Sequence, residues 1–244
     1  GENRWDARKD KVAGLMNYYE ADFIGGQEVT HSQLIYLTEN LIGYSYIGVG
    51  RDDGKQKGEY SCIFYRKDKF EMIEQSTFWL SPTPDSISKG WDAAIVRVCT
   101  YGLFKNKKTK QLFWVFNNNF DHVGKTARLE YAKLIVEKIK ELNKKNYPVI
   151  VTGDFNSKPN EPPAEYMLAN MQNTRSIAKQ VYGPADTWNG FKFNQKLDGC
   201  IDYIFVADNE KVAVSKFATL TDSYDMKYPS DHLPILATIL INKY

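Results

Sequence analysis

The sequence predicts a layered α/β protein, and the order of its patterns supports this fold class. A helix-like start is followed by a β-rich middle, in which β-branched and aromatic runs alternate with turn residues. The helical stretch from Lys125 to Asn143 then leads into the apolar run Val149–Val151, an order that fits a crossover onto a sheet. A chain of 244 residues, 43% of them hydrophobic, can bury a full core. Because no stretch resembles a linker, we expect residues 1–244 to form a single domain.

Hydrophobic spacing and turn residues predict the individual elements. Trp5 to Tyr19 has apolar residues near helical spacing, and Thr30 is a suitable cap for a second helix. Lys125 to Asn143 and Pro162 to Met171 are further predicted helices, because prolines are tolerated in a first helical turn. The predicted strands span 21–28, 61–65, 70–78, 95–103, 112–117, 149–151, 201–206, 212–220 and 233–241. We expect the four from 61 to 117 to form an antiparallel meander.

Polar residues follow several of the predicted strands. The apolar run Val149–Val151 leads through a glycine into Asp154 and Asn156, which either form only an Asx-type turn or belong to a functional site. An unpaired buried carboxylate is costly, so acidic residues at the ends of core strands favour a functional role. Three other predicted strands carry Glu28, Asp202, and Asp231 with His232 at or beside an end. Four acidic strand ends in one chain suggest one shared site.

Composition narrows the possible partners and environments. The net charge of +2 arises from 32 basic and 30 acidic side chains, which argues against a polycationic nucleic-acid binder but permits anionic substrates. The tract Lys105 to Lys110 is either a phosphate-binding patch or, as we favour, a solvated hairpin tip. No run approaches the ~20 apolar residues of a membrane span, so we expect no stable membrane insertion. Cys62, Cys99 and Cys200 lie in apolar runs and are predicted to be buried free thiols.

Four segments, GGQEV, VTGDFN, DGCIDYIFV and PSDHLP, together resemble the signature of the endonuclease/exonuclease/phosphatase superfamily of magnesium-dependent phosphodiesterases. Their order and spacing match from Glu28 to His232. The segments GEYSCIFY, TFWLSPTPD, KGWDAAIVR and FDHVG extend the resemblance to a bacterial branch of undefined substrate. The resemblance implies a DNase I-like, four-layer αββα sandwich, in which two packed mixed β-sheets are flanked by helices.

The resemblance also implies an activity and a role for each strand-end residue. The implied reaction is hydrolysis of a phosphate ester, most readily a phosphodiester, by in-line attack of an activated water. Glu28 would be the direct Mg²⁺ ligand and Asp231 would support the metal, with Mn²⁺ as a possible substitute. Asp154 would orient or deprotonate the water, and Asn156 would donate a hydrogen bond to the phosphate. Asp202 would pair with His232, keeping it oriented as a cationic donor.

Two features depart from the family pattern. The segment before FDHVG usually reads Phe-Asn-Thr-His, whereas this chain has Phe116-Asn117-Asn118-Asn119, so Asn119 stands where the family has a phosphate-stabilising histidine. The family's first strand and its metal-proximal asparagine are expected before the segment that begins this chain. We therefore expect an activity that is reduced or shifted in substrate. The alternative is a protein that binds a phosphorylated ligand or partner without efficient turnover, and the compartment stays open.

Other residues are candidate contacts for the substrate. Arg97 is the basic residue inside an apolar run, and it either forms a buried ion pair or recognises phosphate. Trp91 and Trp188 are candidate substrate contacts, with packing as the alternative for Trp91. We expect His31 to be a first-turn helix residue, because a hard Mg²⁺ site has little use for imidazole. The expected partner is a phosphate ester, with nucleic acid as one candidate class, and we expect a monomer.

Overall fold

The computed structural model describes residues 2–207 and 211–241. The described helices are α1 (Trp5–Tyr19), α2 (His31–Asn40), α3 (Lys125–Leu142), α4 (Pro162–Asn170) and α5 (Thr174–Ile177). The described strands are β1 (Phe23–Val29), β2 (Tyr44–Ile47), β3 (Tyr60–Arg66), β4 (Phe70–Trp79), β5 (Val98–Asn106), β6 (Leu112–Asn119), β7 (Val149–Asp154), β8 (Met171–Asn173), β9 (Gln180–Tyr182), β10 (Asp202–Ala207), β11 (Val212–Thr219) and β12 (Ile235–Ile241).

Local signals in the sequence explain the helix boundaries. Thr30 caps α2 with a capping box: its hydroxyl accepts a hydrogen bond from the Gln33 amide, while the Gln33 side chain accepts one from the Thr30 amide. Two prolines occupy the first turn of α4, where a missing N–H costs nothing. The helices predicted from spacing are therefore confirmed, and their ends differ from the prediction by at most one residue.

The strands form two packed layers. One layer is a six-stranded mixed sheet of order β4-β5-β6-β7-β10-β8, in which only β6 and β7 are parallel neighbours. The facing layer contains two three-stranded sheets, of order β1-β3-β2 and β12-β11-β9. Helices α1 and α2 cover the outer face of the first of these, and α3 and α4 cover the outer face of the six-stranded sheet. This arrangement confirms the αββα sandwich.

The space between the layers is filled by aliphatic and aromatic side chains. Ile47 and Ile63 from the first three-stranded sheet contact Phe104, Phe113 and Val115 from the six-stranded sheet. Full burial of each such side chain stabilises the fold by about 1.5–3 kcal/mol relative to leaving it exposed.

No helix within residues 2–207 and 211–241 is long and apolar enough to cross a membrane.

A polar tie crosses the same interior. Asn117 is fully buried, and its amide group donates to the carbonyls of Gly26 and Cys62 while its oxygen accepts from the Thr152 hydroxyl. Gly25 permits this close approach, because a Cβ there would lie 2.5 Å from the Thr152 hydroxyl oxygen. The tie fixes β1 against β6 and β7, the strands that carry most of the polar ends discussed below.

Several predicted strands need correction. The meander contains only β4, β5 and β6, because β3 pairs with β1 and β2 in the facing layer. Strand β5 begins at Val98 instead of 95, since the Ile95 amide donates to the Asp121 carboxylate and not to a neighbouring strand. The short elements β2, β8, β9 and α5 were not predicted, because three or four residues carry too little periodicity.

Candidate active site

Strand register places three polar side chains in a row. In the parallel pair β6–β7, Asn119 lies beside Asp154, and in the antiparallel pair β7–β10, Asp202 lies beside Asp154. Strands β6 and β7 end, and β10 begins, at the same edge of the six-stranded sheet. The sheet therefore presents an amide and two carboxylates at one point on its rim.

Asp154 occupies the centre of this row and is buried. Its carboxylate accepts hydrogen bonds from the Asn156 backbone amide at 2.8 Å and from the Asn156 side chain at 2.9 Å. The predicted Asx-type turn therefore exists, and it coexists with the polar cluster. Burial, followed by the nearby charge of Asp202, raises the pKa of Asp154 to about 7. A carboxyl group in this state can exchange a proton near neutral pH.

Asp202 holds His232 in a fixed orientation. The His232 Nδ1 atom lies 2.8 Å from one carboxylate oxygen of Asp202, and the Thr187 hydroxyl donates to the same oxygen at 2.5 Å. Burial alone would lower the pKa of His232, but the hydrogen bond and charge of Asp202, with added attraction from Asp154, raise it to about 9. The imidazole is therefore protonated at neutral pH and can donate a hydrogen bond from its second nitrogen. Sequence reasoning missed Thr187, because a threonine in a polar loop carries no distinguishing signal.

Glu28 approaches the row from the facing layer. It lies in a bulge of β1 and has a left-handed backbone with φ of 55°, a conformation that is strained for a glutamate, and strained backbone of this kind clusters at functional sites. One carboxylate oxygen lies 3.6 Å from an Arg97 nitrogen and 3.4 Å from the Asn119 amide nitrogen. The side chain is 59% exposed, so the carboxylate can accept a further ligand.

Arg97 links Glu28 to a second buried cluster. Its guanidinium is 2% exposed and lies 3.8 Å from the Asp121 carboxylate, with another nitrogen 3.2 Å from Nδ1 of His122. Two of the guanidinium nitrogens, Nε and one Nη, have no hydrogen-bond partner at normal distance among the described residues. Arg97 thus forms a buried ion pair with Asp121, which is the first of the two roles considered from the sequence. It also contacts the exposed carboxylate of Glu28, and its role in phosphate recognition stays a prediction.

Two sets of residues are candidates for a metal. Asp154, Asp202 and His232 offer ligand atoms that all lie within 4.8 Å of one another. Without a metal, the raised pKa of His232, about 9, keeps its imidazole protonated and paired with Asp202 at 2.8 Å, so these three residues form a charge cluster in the metal-free protein. The second set, Glu28 and Asp231, follows from the family resemblance and stays a prediction; both residues carry carboxylates, the ligands that Mg²⁺ prefers. Asp231 is held through its backbone, because its carbonyl accepts hydrogen bonds from the Asn189 and Gly190 amides.

The remaining candidate residues, Trp91, Trp188 and His31, differ in their contacts and in their relation to the site. The Trp91 ring packs edge-on against Tyr131, with 5.8 Å between centroids, as the packing alternative predicts. Trp188 forms an isolated β-bridge with His232, so its backbone lies beside the site. His31 is the first residue of α2 and contacts the Tyr60 hydroxyl.

Two further sequence predictions concern the lysine tract and the cysteines. The lysine tract covers the last two residues of β5 and the turn that leads to β6, which confirms the hairpin tip. Cys62 and Cys99 are buried free thiols, whereas Cys200 is partly exposed and corrects the prediction for that residue, because it lines an open cleft.

Several solved structures are close matches to this arrangement. The mannosyl-6-phosphatase of Bacteroides thetaiotaomicron VPI-5482 is 41% identical, with a TM-score of 0.95, over 98% of this chain and 92% of that one. An endonuclease/exonuclease/phosphatase from Bacteroides vulgatus is 39% identical, with a TM-score of 0.93, over 99% of this chain and 93% of that one. The human nocturnin catalytic domain shares the fold at 19% identity, with a TM-score of 0.75, over 99% of this chain and 89% of that one.

Curated sequences are more distant relatives. An uncharacterized protein of Acanthamoeba polyphaga mimivirus is 27% identical over 161 residues, which are 63% of this chain and 60% of that protein. The Ccr4 exoribonuclease subunit of Mycosarcoma maydis is 20% identical and matches 98% of this chain but 46% of its own length. The chain thus spans less than two thirds of either relative. The sequence model of the endonuclease/exonuclease/phosphatase family matches residues 1–232, and the chain therefore belongs to this family of phosphate-ester hydrolases.

Proposed function

We propose that this protein is a divalent-metal-dependent phosphatase that hydrolyses the phosphate monoester of a phosphorylated sugar. The row of Asn119, Asp154 and Asp202 at one sheet edge, with His232 behind it, is the observation that carries the phosphoesterase assignment. The sugar monoester is favoured by the 41% identity to a mannosyl-6-phosphatase across nearly the whole length of both chains. The sequence predicts a phosphodiester as the first choice of substrate. The family signature alone does not separate the two kinds of substrate, because monoesterases and diesterases share it.

The residues around Glu28 fit a hard cation such as Mg²⁺ or Mn²⁺. The exposed Glu28 carboxylate has one oxygen near Asn119 and Arg97, and the buried side-chain oxygen of Asn119 has no hydrogen-bond partner among the described residues. Unpartnered oxygen atoms beside an exposed carboxylate suit a metal that binds oxygen ligands and retains several waters. Glu28 would hold the cation, with support from Asp231. When bound, it would supply Lewis-acid stabilisation of charge on the phosphoryl oxygens.

The other residues of the site act on the attacking water and on the phosphoryl group. Asp154, with its pKa near neutrality, accepts a proton from the attacking water or orients it for in-line attack. Asn156 keeps Asp154 oriented, because its backbone amide and side chain both donate to that carboxylate. His232, held by Asp202, donates a hydrogen bond to a phosphoryl oxygen, and its positive charge makes that bond roughly twice as strong as a neutral one.

Metal-dependent turnover tests the proposal directly. We would assay the protein with Mg²⁺ and Mn²⁺ on mannose 6-phosphate, p-nitrophenyl phosphate, bis-p-nitrophenyl phosphate and a DNA duplex. We expect the two monoesters to be hydrolysed fastest and the activity to disappear in Glu28→Gln. Glu39→Gln is the matched control, because Glu39 is exposed on α2 and has no metal role in this scheme. Preference for the diester or the duplex would overturn the monoester assignment.

A second candidate function is binding of a phosphorylated ligand with little turnover. Asn119 favours it, because a neutral amide replaces a cationic donor at a position where losing one transition-state donor can cost ~10²–10³ in rate. Asn119→His discriminates the two functions. A gain of about tenfold or more in kcat would show that the natural amide limits catalysis. If neither wild type nor Asn119→His shows turnover and both still bind inorganic phosphate, the binding function would be favoured.

A further inference from the structure

An open cleft of about 550 Å³ lies beside the candidate active site. Its volume falls in the range of ~300–1,000 Å³ that is typical of small-molecule sites. Its walls come from the segments at 158–160, 185–186 and 196–200. The mechanism described above uses no residue of these segments.

Each wall of the cleft is joined to a candidate catalytic residue. Lys158 lies two residues beyond Asn156, and Cys200 lies two residues before Asp202. The third wall contains Asp186, and the next residue, Thr187, donates its hydroxyl hydrogen to Asp202 at 2.5 Å. The walls are also joined to one another, because the carbonyl of Gly199 accepts hydrogen bonds from the amides of Thr187 and Trp188. The cleft therefore adjoins the candidate active site through all three of its walls.

The charges of the cleft favour a neutral ligand. Lys158 and Lys196 are balanced by Asp186 and Asp198, and the Lys158 ammonium lies 2.9 Å from an Asp198 carboxylate oxygen. A groove for nucleic acid needs an excess of positive charge to bind successive phosphates. This cleft has no such excess, so a second or third phosphate group would gain little there.

The polar groups of the cleft suit hydroxyl groups. The Asp186 carboxylate and the Asn160 amide have no hydrogen-bond partner within the described part of the chain. Together with the Lys196 ammonium they offer acceptors and donors in close proximity, and a hydroxyl group can satisfy either kind. Pro159, Ala185 and Leu197 add apolar surface, which can cover the C–H face of a sugar ring.

We propose that this cleft binds neutral sugar units of a phosphorylated glycan, beyond the residue that carries the phosphate. This inference rests on the proposed function, because the glycan is defined by the phosphate that the adjacent site would remove. It deepens that function by making the substrate an oligosaccharide and by assigning Asp186, Asn160 and Lys196 as specificity residues. A free monosaccharide phosphate would use the phosphate site but leave the cleft empty.

The kinetic test compares three substrates in wild type and Asp186→Ala. They are a 6-phosphorylated mannobioside, methyl α-mannoside 6-phosphate and p-nitrophenyl phosphate. We expect Asp186→Ala to raise KM for the mannobioside phosphate by about tenfold with little change in kcat, since hydrogen bonds to the distal sugar are lost. KM for p-nitrophenyl phosphate should not change. Lys196→Ala should act in the same direction, and Glu39→Ala is the control for loss of an exposed carboxylate.

A binding test that requires no turnover separates this inference from the proposed function. Saturation-transfer NMR on the metal-free protein would detect a phosphate-free methyl mannobioside, and we expect the signal to vanish in Asp186→Ala but not in Glu39→Ala. Such a signal without hydrolysis of any substrate would support the cleft and overturn the phosphatase. Hydrolysis with equal KM values in wild type and both cleft variants would overturn the cleft alone. Displacement of the mannobioside by oligothymidylate, and not by a longer mannoside, would also overturn it.

Discussion

Two buried aspartates lie at the ends of neighbouring strands of the same sheet, Asp121 just beyond β6 and Asp154 as the last residue of β7, and they have opposite electrostatic surroundings. Burial alone would raise the pKa of both carboxyl groups. Hydrogen bonds from four backbone N–H groups nevertheless hold the Asp121 pKa at about 2, whereas the pKa of Asp154 rises to about 7. The donors to Asp121 are the amides of Gly124, Ala94, Val123 and Ile95.

The difference shows that a full set of hydrogen-bond donors can outweigh burial, as at Asp121, whereas burial dominates the pKa where donors are few, as at Asp154. Asp121 has a full set of donors and a guanidinium 3.8 Å away, so it stays ionised and ties the loop before β5 to the loop before α3. Asp154 has two donors, both from Asn156, and lies beside a second carboxylate. The first aspartate stabilises the fold and the second retains a proton that can be exchanged.

The largest expected effect comes from removing the reactive carboxylate. Asp154→Asn should lower kcat by about 10³ on the substrate that wild type hydrolyses, because proton transfer by a positioned side chain contributes ~10²–10⁴. The free energy of unfolding should not fall, since the variant removes a carboxyl group that resists ionisation in the fold. Steady-state kinetics and thermal unfolding measure the two quantities.

Asp68→Asn is the matched control for this variant, because Asp68 is an exposed aspartate paired with Arg66. It should leave kcat within about twofold of wild type, as expected for an exposed surface ion pair. Equal kcat values in Asp154→Asn and Asp68→Asn would contradict the assignment of Asp154 as the reactive group.

The next effect should appear at the structural aspartate. Asp121→Asn replaces two acceptor oxygens by one oxygen and an NH₂ group that faces backbone donors, so about 3 kcal/mol of stability should be lost. Chemical denaturation measures this loss. Activity per folded molecule should change far less than in Asp154→Asn, and a folded but inactive Asp121→Asn protein would show that Asp121 acts on the site through Arg97.

Part of this contrast could be predicted from the sequence. The apolar run at 149–151 and the polar residues after it indicate a strand end, so the sequence alone predicts Asp154 as a candidate site residue. Asp121 was not singled out, because its partners at 94–95 and 123–124 are backbone amides that any residue type supplies. The cleft was also missed, since its walls come from three loops that only the folded chain brings together. Short-range pattern therefore predicts strands and their ends, but not donors from distant loops.

The two aspartates should also give opposite pH dependences of stability. Asp121 has a folded pKa below its unfolded value, so it adds stability as pH rises from about 2 to 3.8. Asp154 has a folded pKa above its unfolded value, so its contribution is lost as pH rises from 3.8 to about 7. Each slope should reach at most about 1.4 kcal/mol per pH unit.

Urea unfolding across pH in a chelator measures these slopes on the metal-free protein. Asp121→Asn should reduce the rise at low pH, to which other carboxylates with a lowered pKa also contribute, and Asp154→Asn should reduce the fall between pH 4 and 7. The two single variants thus report on separate windows of the same curve. A curve for Asp154→Asn that coincides with wild type between pH 4 and 7 would show that Asp154 is ionised in the fold like Asp121.

The smallest effect should come from Thr187, which gives Asp202 a donor of the kind that Asp154 lacks. Its hydroxyl donates to Asp202 at 2.5 Å and accepts from the amides of Ile201 and Asp202. Thr187→Val keeps the side-chain shape but removes these bonds, so His232 should lose part of its orientation and kcat should fall by about tenfold. Thr187→Ser retains the hydroxyl and should restore activity. If the valine and serine variants were equally impaired, the methyl group and not the hydrogen bond would be the feature that positions Asp202. In that case, the supply of hydrogen-bond donors would not explain how this rim holds Asp202 against His232.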